Sequence, residues 1–283
     1  MLFLKSVNKK MKIAVYLGRG LNPEDGRVVK MVQGLEASSN EVFFYDGALP
    51  SLEKTDIFLS VGGDGTFLSA SVCVAGSGIP VLGVNLGRMG FLSENTPEAV
   101  VEALRSGEYT YESRTLLEVG ETSLPEDYWP YALNEVVVHR GSGSILGVDV
   151  CVNGMNLPTY WADGLLVATS SGSTAYSLSV GGPIVTPESK VLIISPIAPH
   201  NLNVRPLIVP DTSEITLKFQ SRDEHVVFSA DNRMAEIPSH DTVKISRASF
   251  GLKKVKLNHV NFIQALTEKL FWGEDIRNNM NSK

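Results

Sequence analysis

Residues 61–67, which read V-G-G-D-G-T-F, constrain the fold of this chain more than any other segment. The apolar run 56–61 before them predicts a strand, and Phe67, Leu68 and Val72 after them recur at helical spacing. The three glycines therefore connect a strand to a helix. Glycine permits a positive φ and lets a ligand approach the backbone, and the free N–H groups at the start of a helix attract anions. The segment predicts a phosphate-binding turn.

Asp64 distinguishes this turn from a purely structural one. The sequence contains no G-x-x-x-x-G-K-[ST] motif and no G-x-G-x-x-G after a strand, so the two commonest phosphate loops are missing. A carboxylate among groups that hold negative charge is suited to accept a proton or to bind magnesium. The alternative is a strand-to-helix turn with a solvated aspartate, which is common in α/β folds. The turn alone does not decide between these interpretations.

The composition argues against several classes of protein. With 283 residues, of which 43% are hydrophobic, the chain is long enough for two domains. Its net charge is −6 and its 25 Lys and Arg residues are scattered, which argues against nucleic-acid binding. No apolar run approaches the roughly 20 residues that span a bilayer, so we expect a cytoplasmic protein without membrane contact. Cys73 and Cys151 lie far apart without metal-type spacing and are expected to be reduced.

Strands and helices alternate in the first part of the chain. The patterns predict strands at 12–17, 42–45, 56–61 and 79–84 and helices at 23–37 and after residue 66. This alternation predicts a parallel, doubly wound α/β sheet, in which ligands bind beyond the carboxyl ends of the strands. The Gly62 turn falls at such an end. A second glycine-bearing strand end, at residues 83–92, is expected to line the same crevice.

After a helix near 97–104 the pattern changes to frequent short strands, which predicts an all-β second domain. The run S-G-S-T-A-Y-S-L-S-V-G-G at 171–182 interrupts these strands and is expected to form a short helix with exposed hydroxyls. Apolar residues at helical spacing from Phe262 to Leu270 predict a final helix that docks on the first domain. We expect domains at 1–113, joined by 261–283, and at 114–260.

Hydrolytic chemistry finds no support in the sequence. Ser173 stands between Ser171 and Ala175 and not between the two glycines of a nucleophile elbow. The five histidines are isolated from one another, and a lone histidine is more often structural or solvated than catalytic. We assign no role to any histidine and no residue to a metal.

Four motifs together resemble the NAD kinases: G-G-D-G-T at 62–66, N-E at 134–135, D-G at 163–164 and S-G-S-T-A-Y-S-L-S at 171–179. The match covers most of the chain, and L-F-W-G at 270–273 fits as well. The first motif also occurs in diacylglycerol-type lipid kinases and, in a related form, in phosphofructokinases, whereas the order and spacing of the later motifs are specific. The resemblance implies an α/β N-terminal domain, an all-β C-terminal domain and a C-terminal helix that returns to the first domain.

The NAD kinases transfer the γ-phosphoryl group of ATP to the 2′-hydroxyl of the adenosine ribose of NAD, giving NADP, and need a divalent metal such as Mg²⁺. The resemblance implies that Asp64 is the general base for that hydroxyl and that the turn backbone holds phosphate oxygens. Asn134 and Glu135 are implied to bind the adenosine part of NAD, and Tyr176 to place its ring against a base. The implied binding residues are Gly62, Gly63, Asp64, Gly65, Thr66, Asn134, Glu135, Asp163, Thr174, Ala175, Tyr176, Ser177, Leu178 and Ser179. A homodimer or homotetramer is implied too.

The chain departs from the family pattern at two positions. Trp161 stands two residues before Asp163, where many bacterial members carry arginine or histidine, and this leaves the preference between NAD and NADH open. It is expected to pack either on the nicotinamide or on the fold. The segment 231–233 reads D-N-R where members often have D-G-Q or D-S-Q, and Arg233 is given no role.

Two other functions remain to be weighed against NAD phosphorylation. A lipid kinase needs an apolar, open acceptor cleft, and the polar run at 171–179 argues against one. The second alternative is an NAD-binding protein that has lost turnover. Such a protein needs no base, so the presence of Asp64 argues against this alternative. Each site residue also has an ordinary structural interpretation on its own, and their joint occurrence favours the kinase. The choice among ATP, other triphosphates and polyphosphate as donor stays open, as does feedback by NADP or NADPH.

Overall fold

The computed structural model describes residues 10–47, 52–74, 76–87, 90–258 and 261–271. They form two compact units, the first up to Glu112 and from Lys253 onward, the second Ser113–Leu252. The features of the sequence analysis that lie outside the described residues are Arg88, Met89, His259, Trp272 and Gly273, together with residues 1–9 and 274–283 of the expected first domain. No helix of the described part is long and apolar enough to cross a membrane.

A six-stranded sheet forms the centre of the first unit. Its strands are β1 (Lys12–Leu17), β2 (Glu41–Phe44), β3 (Ile57–Val61), β4 (Val81–Val84), β5 (Tyr109–Arg114) and β19 (Leu252–Leu257), the last numbered by its place in the chain. Their order is β2-β1-β3-β4-β19-β5. The pairs from β2 to β19 are parallel, as the alternation of strands and helices predicts.

Helices cover both faces of this sheet. They are α1 (Gly26–Glu36), α2 (Asp64–Val74), α3 (Pro97–Ser106) and α5 (Phe262–Leu270), the last numbered by its place in the chain. Ile57 and Leu59 of β3 share one core with Val28 of α1 and Val100 of α3. The opposite face packs on α2, where the Phe67 ring lies against Gly83 of β4. A strand buried on both faces reads as a continuous apolar run, which is how β3 reads.

The strand β19 differs from the expected division of the chain. The sequence analysis placed residues up to 260 in the second domain, whereas Lys254 pairs in parallel with Val81 of the first sheet. A run of short strands does not reveal this change of sheet, because strand partners are set by tertiary contacts and not by local pattern. Helix α5 follows in the first unit, as expected, and buries Ala265 and Leu266.

Antiparallel strands make up most of the second unit. One sheet contains β6 (Leu117–Gly120), β7 (Tyr131–Ala132), β9 (Leu146–Val152), β10 (Met155–Asn156), β11 (Tyr160–Ala162), β15 (Ile215–Gln220) and β18 (Thr242–Arg247). The other contains β8 (Glu135–Arg140), β12 (Gly164–Thr169), β13 (Val191–Ile197), β14 (Leu207–Pro210), β16 (His225–Ala230) and β17 (Arg233–Pro238). The expected α/β plus all-β fold is confirmed.

Side-chain alternation along β8 divides the second unit into two cores. Val136 and Val138 point into a large core shared by both sheets, whereas Val137 points into a smaller core on the other face. That smaller core is covered by the segment after β12, which forms a 3₁₀ turn (Ser171–Thr174) and the short helix α4 (Tyr176–Ser179). Tyr176 packs against it. The segment that carries the most specific motif is therefore packed onto the sheet.

Substitution of Lys254 tests the packing of the first unit. Its side chain is 1% exposed and is paired with Glu94 and with Glu112, the latter at 3.4 Å. We expect Lys254→Met to lower the free energy of unfolding by roughly 3 to 5 kcal/mol, since it leaves two carboxylates without their buried cation. Urea unfolding measures this. The exposed Lys253, over the ring of Tyr111, is the matched control, and a similar small loss in both variants contradicts the prediction.

Candidate active site

Gly62 and Thr66 shape the turn between β3 and α2. Gly62 has φ +149°, and a Cβ there would lie 2.4 Å from Thr66 Oγ1. A Cβ on Gly18, just after β1, would meet the same hydroxyl at 2.4 Å. The Gly62 N–H donates to the carbonyl of Val84 at 2.8 Å, which ties the turn to β4. Thr66 thus packs between two glycines, and both residues of the motif serve the fold.

Gly63 and Gly65 are placed differently. A Cβ on either of them would meet nothing within 4 Å. The N–H groups of Gly63, Asp64 and Gly65 have no acceptor in the described part of the chain, as the first donors of a helix have none within the helix. Open space above unpaired amides suits an anion. The phosphate-binding character of the turn lies at these three residues.

Asp64 begins α2, and its carboxylate accepts three backbone hydrogen bonds. Oδ2 accepts from Phe91 N–H at 2.8 Å, and Oδ1 accepts from Leu92 at 3.0 Å and Ser93 at 2.8 Å. A Cβ on Gly90 would lie 1.8 Å from Oδ1, so that position requires glycine. A carboxylate oxygen offers two acceptor positions, and Oδ1 has used both. Among the described residues, one position therefore remains on Oδ2.

The loop that binds the Asp64 carboxylate is also held by hydrogen bonds of two asparagine side chains. Asn85 Nδ2 donates to the carbonyl of Ser93 at 3.2 Å, and Asn95 Nδ2 donates to that of Gly83 at 2.9 Å. The Asn85 N–H bonds the Asn95 carbonyl at 2.8 Å. This loop belongs to the second glycine-bearing strand end of the sequence analysis, and the structure brings it directly against Asp64.

In the second unit, Asp231 holds the start of β8 in the same way. Its carboxylate accepts from the N–H groups of Leu133 at 2.9 Å, Asn134 at 2.8 Å and Glu135 at 3.3 Å. Asp231 lies in the two-residue turn between β16 and β17 with φ +51°. The sequence analysis gave it no role, although an aspartate between two strand runs is typical of such a turn.

Asn134 and Glu135 each keep a buried oxygen without a partner among the described residues, Oδ1 in Asn134 and Oε2 in Glu135. Buried polar atoms without partners are rare and call for an explanation. Burial, chiefly, and the nearby Asp231 carboxylate together raise the pKa of Glu135 to about 8, against the opposite effect of a hydrogen bond from the Tyr176 N–H. At neutral pH the Glu135 carboxyl is therefore mostly protonated and offers both a donor and an acceptor.

Tyr176 and Asp163 lie beside the ends of β8. The Tyr176 hydroxyl is 3.3 Å from His139 Nε2, and the two rings are stacked at 5.9 Å. Burial lowers the pKa of His139. Asp163 pairs with Arg140, with 2.9 Å between Oδ1 and Nε. Sequence reasoning missed His139 as a neighbour of the site, because the pairing of separate segments is not visible in single-residue patterns.

Three of the six hydroxyl-bearing residues at 171–179 are buried, and for these the expectation of exposed hydroxyls was wrong. Ser171, Ser173 and Ser177 are buried, and Ser173 Oγ bonds the carbonyl of Val185 at 3.1 Å. The segment packs on the second face of a sheet, which removes these hydroxyls from solvent. The partly exposed residues are Thr174, Ala175, Tyr176 and Leu178, and Ser179 is exposed.

Trp161 packs on the fold. It lies opposite Gly147 in the β9–β11 pair, and a Cβ on Gly147 would come within 2.9 Å of its ring. The ring covers a glycine that leaves room for it, and Trp161 as a whole is 36% exposed, so its packing on the nicotinamide stays a prediction.

Two family models match the chain: the ATP-NAD kinase N-terminal domain over residues 24–108 and the ATP-NAD kinase C-terminal domain over residues 133–257. The chain belongs to the NAD kinase family. A NAD kinase of Flavobacterium psychrophilum is 43% identical over 234 residues, 80% of each chain. A NAD kinase of Christiangramia forsetii is 36% identical and covers 94% of this chain and 95% of its own.

Solved structures of kinases of this family have the same fold. A yeast NADH kinase complexed with NADH superposes with a TM-score of 0.83 at 25% identity, over 95% of this chain and 89% of that one. A NAD kinase from Archaeoglobus fulgidus in complex with ATP gives a TM-score of 0.74 at 27% identity, over 88% and 94%. These similarities cover both units of this NAD kinase family member.

The raised pKa of Glu135 predicts how stability depends on pH. Between the ordinary pKa of 4.5 and about 8, the folded state holds a proton that the unfolded state has lost. Stability therefore falls as pH rises through this window, by on the order of a few kcal/mol. We expect Glu135→Gln to be progressively more stable than the wild type as pH rises from 5 to 8.5, as measured by urea unfolding without ligands. A difference that does not vary with pH contradicts the assignment.

Proposed function

We propose that this chain transfers the γ-phosphoryl group of ATP to the 2′-hydroxyl of the adenosine ribose of NAD, giving NADP and ADP, with Asp64 as the general base. Membership of the NAD kinase family supports the reaction. The observation that carries the role of Asp64 is its geometry: three amides fix the carboxylate, and the described residues leave one acceptor position on Oδ2.

The chemical step needs alignment more than covalent help. The acceptor hydroxyl donates a hydrogen bond to Oδ2 of Asp64, and its proton passes to Oδ2 as the oxygen bonds to the γ-phosphorus. The bond from that phosphorus to the bridging oxygen breaks, and ADP leaves with the electron pair. An oriented carboxylate and charge neutralisation are adequate for phosphoryl transfer.

The open amides of the turn are proposed to hold phosphate oxygens. Gly63, Asp64 and Gly65 supply N–H groups at the start of α2 that are unpaired among the described residues, and the two glycines leave room for a ligand. Gly62 and Thr66 contribute by fixing the backbone. A chain that binds phosphates through neutral amides still needs positive charge for the transferring group.

Mg²⁺ is proposed to supply that charge. The described residues contain no group of three or more His, Cys, Asp or Glu side chains that could hold a metal. Magnesium is usually carried by substrate phosphates with one or two carboxylates and several waters, which requires no such group. The residues therefore fit a metal that arrives with ATP, and the remaining acceptor position of Asp64 stays with the acceptor hydroxyl. When bound, Mg²⁺ neutralises charge on the phosphates.

The second unit is proposed to bind the adenosine part of NAD. The unpartnered Asn134 Oδ1 and the mostly protonated Glu135 offer an acceptor and a donor to ring nitrogens and ribose hydroxyls. Tyr176 offers a ring face, and Asp163 offers a carboxylate whose charge acts on the Tyr176 hydroxyl. The remaining predicted contacts are Thr174, Ala175, Ser177, Leu178 and Ser179. The buried Ser177 Oγ has no partner in the described part of the chain, which supports its inclusion.

The cellular context is proposed from the family and from the composition of the chain together. We expect a cytoplasmic homodimer or homotetramer that binds neither nucleic acid nor membrane. The net charge of −6 supports the expectation on nucleic acid.

The first test is NADP formation from NAD, ATP and Mg²⁺ by wild type and Asp64→Asn. The asparagine keeps the size of the side chain but removes the basic carboxylate, so we expect at least a ~100-fold loss of kcat. Asparagine also replaces one acceptor oxygen by a donor, so thermal unfolding is measured in parallel. Full turnover in Asp64→Asn rules out the general base. If the wild type binds NAD without making NADP, the chain is an NAD-binding protein that has lost turnover. If it neither binds NAD nor makes NADP, lipid acceptors are tested next.

The glycines of the turn allow a matched pair of variants. We expect Gly62→Ala to lower the free energy of unfolding by about 1 to 3 kcal/mol, because of its φ and its contact with Thr66. Gly63→Ala faces open space and is expected to unfold like the wild type but to raise the KM for ATP several-fold. Steady-state kinetics at saturating NAD and urea unfolding separate the two effects. A normal KM for ATP in Gly63→Ala speaks against phosphate binding at this residue.

A further inference from the structure

Helix α5 reaches the loop that is bound by Asp64. The ammonium group of Lys269, in the last turn of α5, donates a hydrogen bond to the carbonyl of Gly90 and lies 4.6 Å from the centre of the Phe91 ring. Phe262, at the start of the same helix, packs its ring 6.2 Å from that of Phe91. The helix therefore holds two successive residues of the loop from one side.

These two residues are also the ones that meet the carboxylate of Asp64. The Phe91 N–H donates to Oδ2, and Gly90 lies so close to Oδ1 that no side chain fits. The Gly90 carbonyl and the Phe91 N–H belong to one peptide group. A planar peptide transmits a rotation from one end to the other. Lys269 thus holds one end of a peptide whose other end orients Oδ2.

The contacts of Lys269 differ from those of a structural ion pair. Lys254, in the same unit, is buried between two carboxylates, which is the arrangement expected of a cation that stabilises a fold. Lys269 instead contacts a carbonyl oxygen and a ring face. Its pKa is lowered chiefly by burial, while the carboxylates of Glu94 and Asp64 act in the opposite direction. A half-buried cation beside the reacting carboxylate orients the loop that binds this carboxylate and also balances its negative charge.

We propose that Lys269 is a positioning residue for phosphoryl transfer, which fixes the Gly90–Phe91 peptide and thereby directs Oδ2 of Asp64 toward the acceptor hydroxyl. This inference rests on the proposed role of Asp64 as the base. It assigns a function to the last described helix, which lies about 200 residues after the turn in the sequence. The C-terminal helix is then part of the catalytic apparatus of the first unit.

The test compares kcat and KM in Lys269→Met, Lys269→Gln and Lys269→Arg. If Lys269 orients the base, kcat in Lys269→Met falls about 10- to 100-fold while the KM values for NAD and ATP stay within about 3-fold. Lys269→Arg keeps a cation and a donor and recovers part of the loss. Lys253→Met is the matched control, because Lys253 also lies over a ring, that of Tyr111, at 4.0 Å and lies outside the catalytic loop. Thermal unfolding identifies which variants are folded. If Lys269→Met is not folded, the kcat of Lys269→Gln decides instead, with the same fall expected.

A double variant distinguishes this inference from the proposed function. If Lys269 acts through Asp64, adding Lys269→Met to Asp64→Asn lowers the residual rate by less than about 2-fold, because the two residues act as one unit. A fully multiplicative loss, a change in KM alone, or a normal kcat in a folded Lys269 variant overturns the positioning role. Full turnover in Asp64→Asn, by contrast, rejects the proposed role of Asp64 as the general base. Loss in Asp64→Asn with normal kcat in Lys269→Met leaves the base in place and rejects only the inference.

Discussion

The carboxylate of Asp64 joins the ends of two neighbouring strands, and the local structure of the first unit depends on that connection. Asp64 follows β3, and the amides it binds at Phe91, Leu92 and Ser93 follow β4. Hydrogen bonds between amides and an ionised carboxylate are stronger than neutral ones. They fix the side chain before any ligand arrives. A base held in this way loses little entropy when the acceptor binds, which is the advantage of a preorganised site.

The second unit uses the same device for a different purpose. Asp231 binds the amides of residues 133–135 and so orients Asn134 and Glu135 at the start of β8. Here the anchor is itself deeply buried, and its charge contributes to the raised pKa of Glu135. Asp64 thus keeps one acceptor position that no other described residue occupies, whereas Asp231 makes its neighbour Glu135 a proton donor. The surroundings, and not the residue type, decide which of these properties results.

Much of the fold was predictable, because the spacing of apolar residues identifies helices and strands and the turn-forming residues between them mark their ends. The alternation of apolar runs with helical spacing identified the doubly wound sheet, and the dense short strands identified the β-rich part. The strand β19 could not be assigned in this way, because its pattern suits either sheet and only pairing with β4 decides. The hydroxyls of Ser171, Ser173 and Ser177 were misjudged for a related reason, since polar composition does not reveal a sheet face that needs covering.

The residue pattern located the chemical groups and gave their type: a glycine-rich turn with an aspartate, an N-E pair at a strand start and a hydroxyl-rich segment, in an order that indicates the NAD kinases. The tertiary structure alone decided what each group can do. It divided the glycines into Gly62, which packs on Thr66, and Gly63 and Gly65, which face open space. It also brought Asp231 to Glu135 and Lys269 to Gly90. Such bonds join a side chain to the backbone of a distant segment, and a backbone amide or carbonyl is the same in every residue, so no pattern of side chains records its partner.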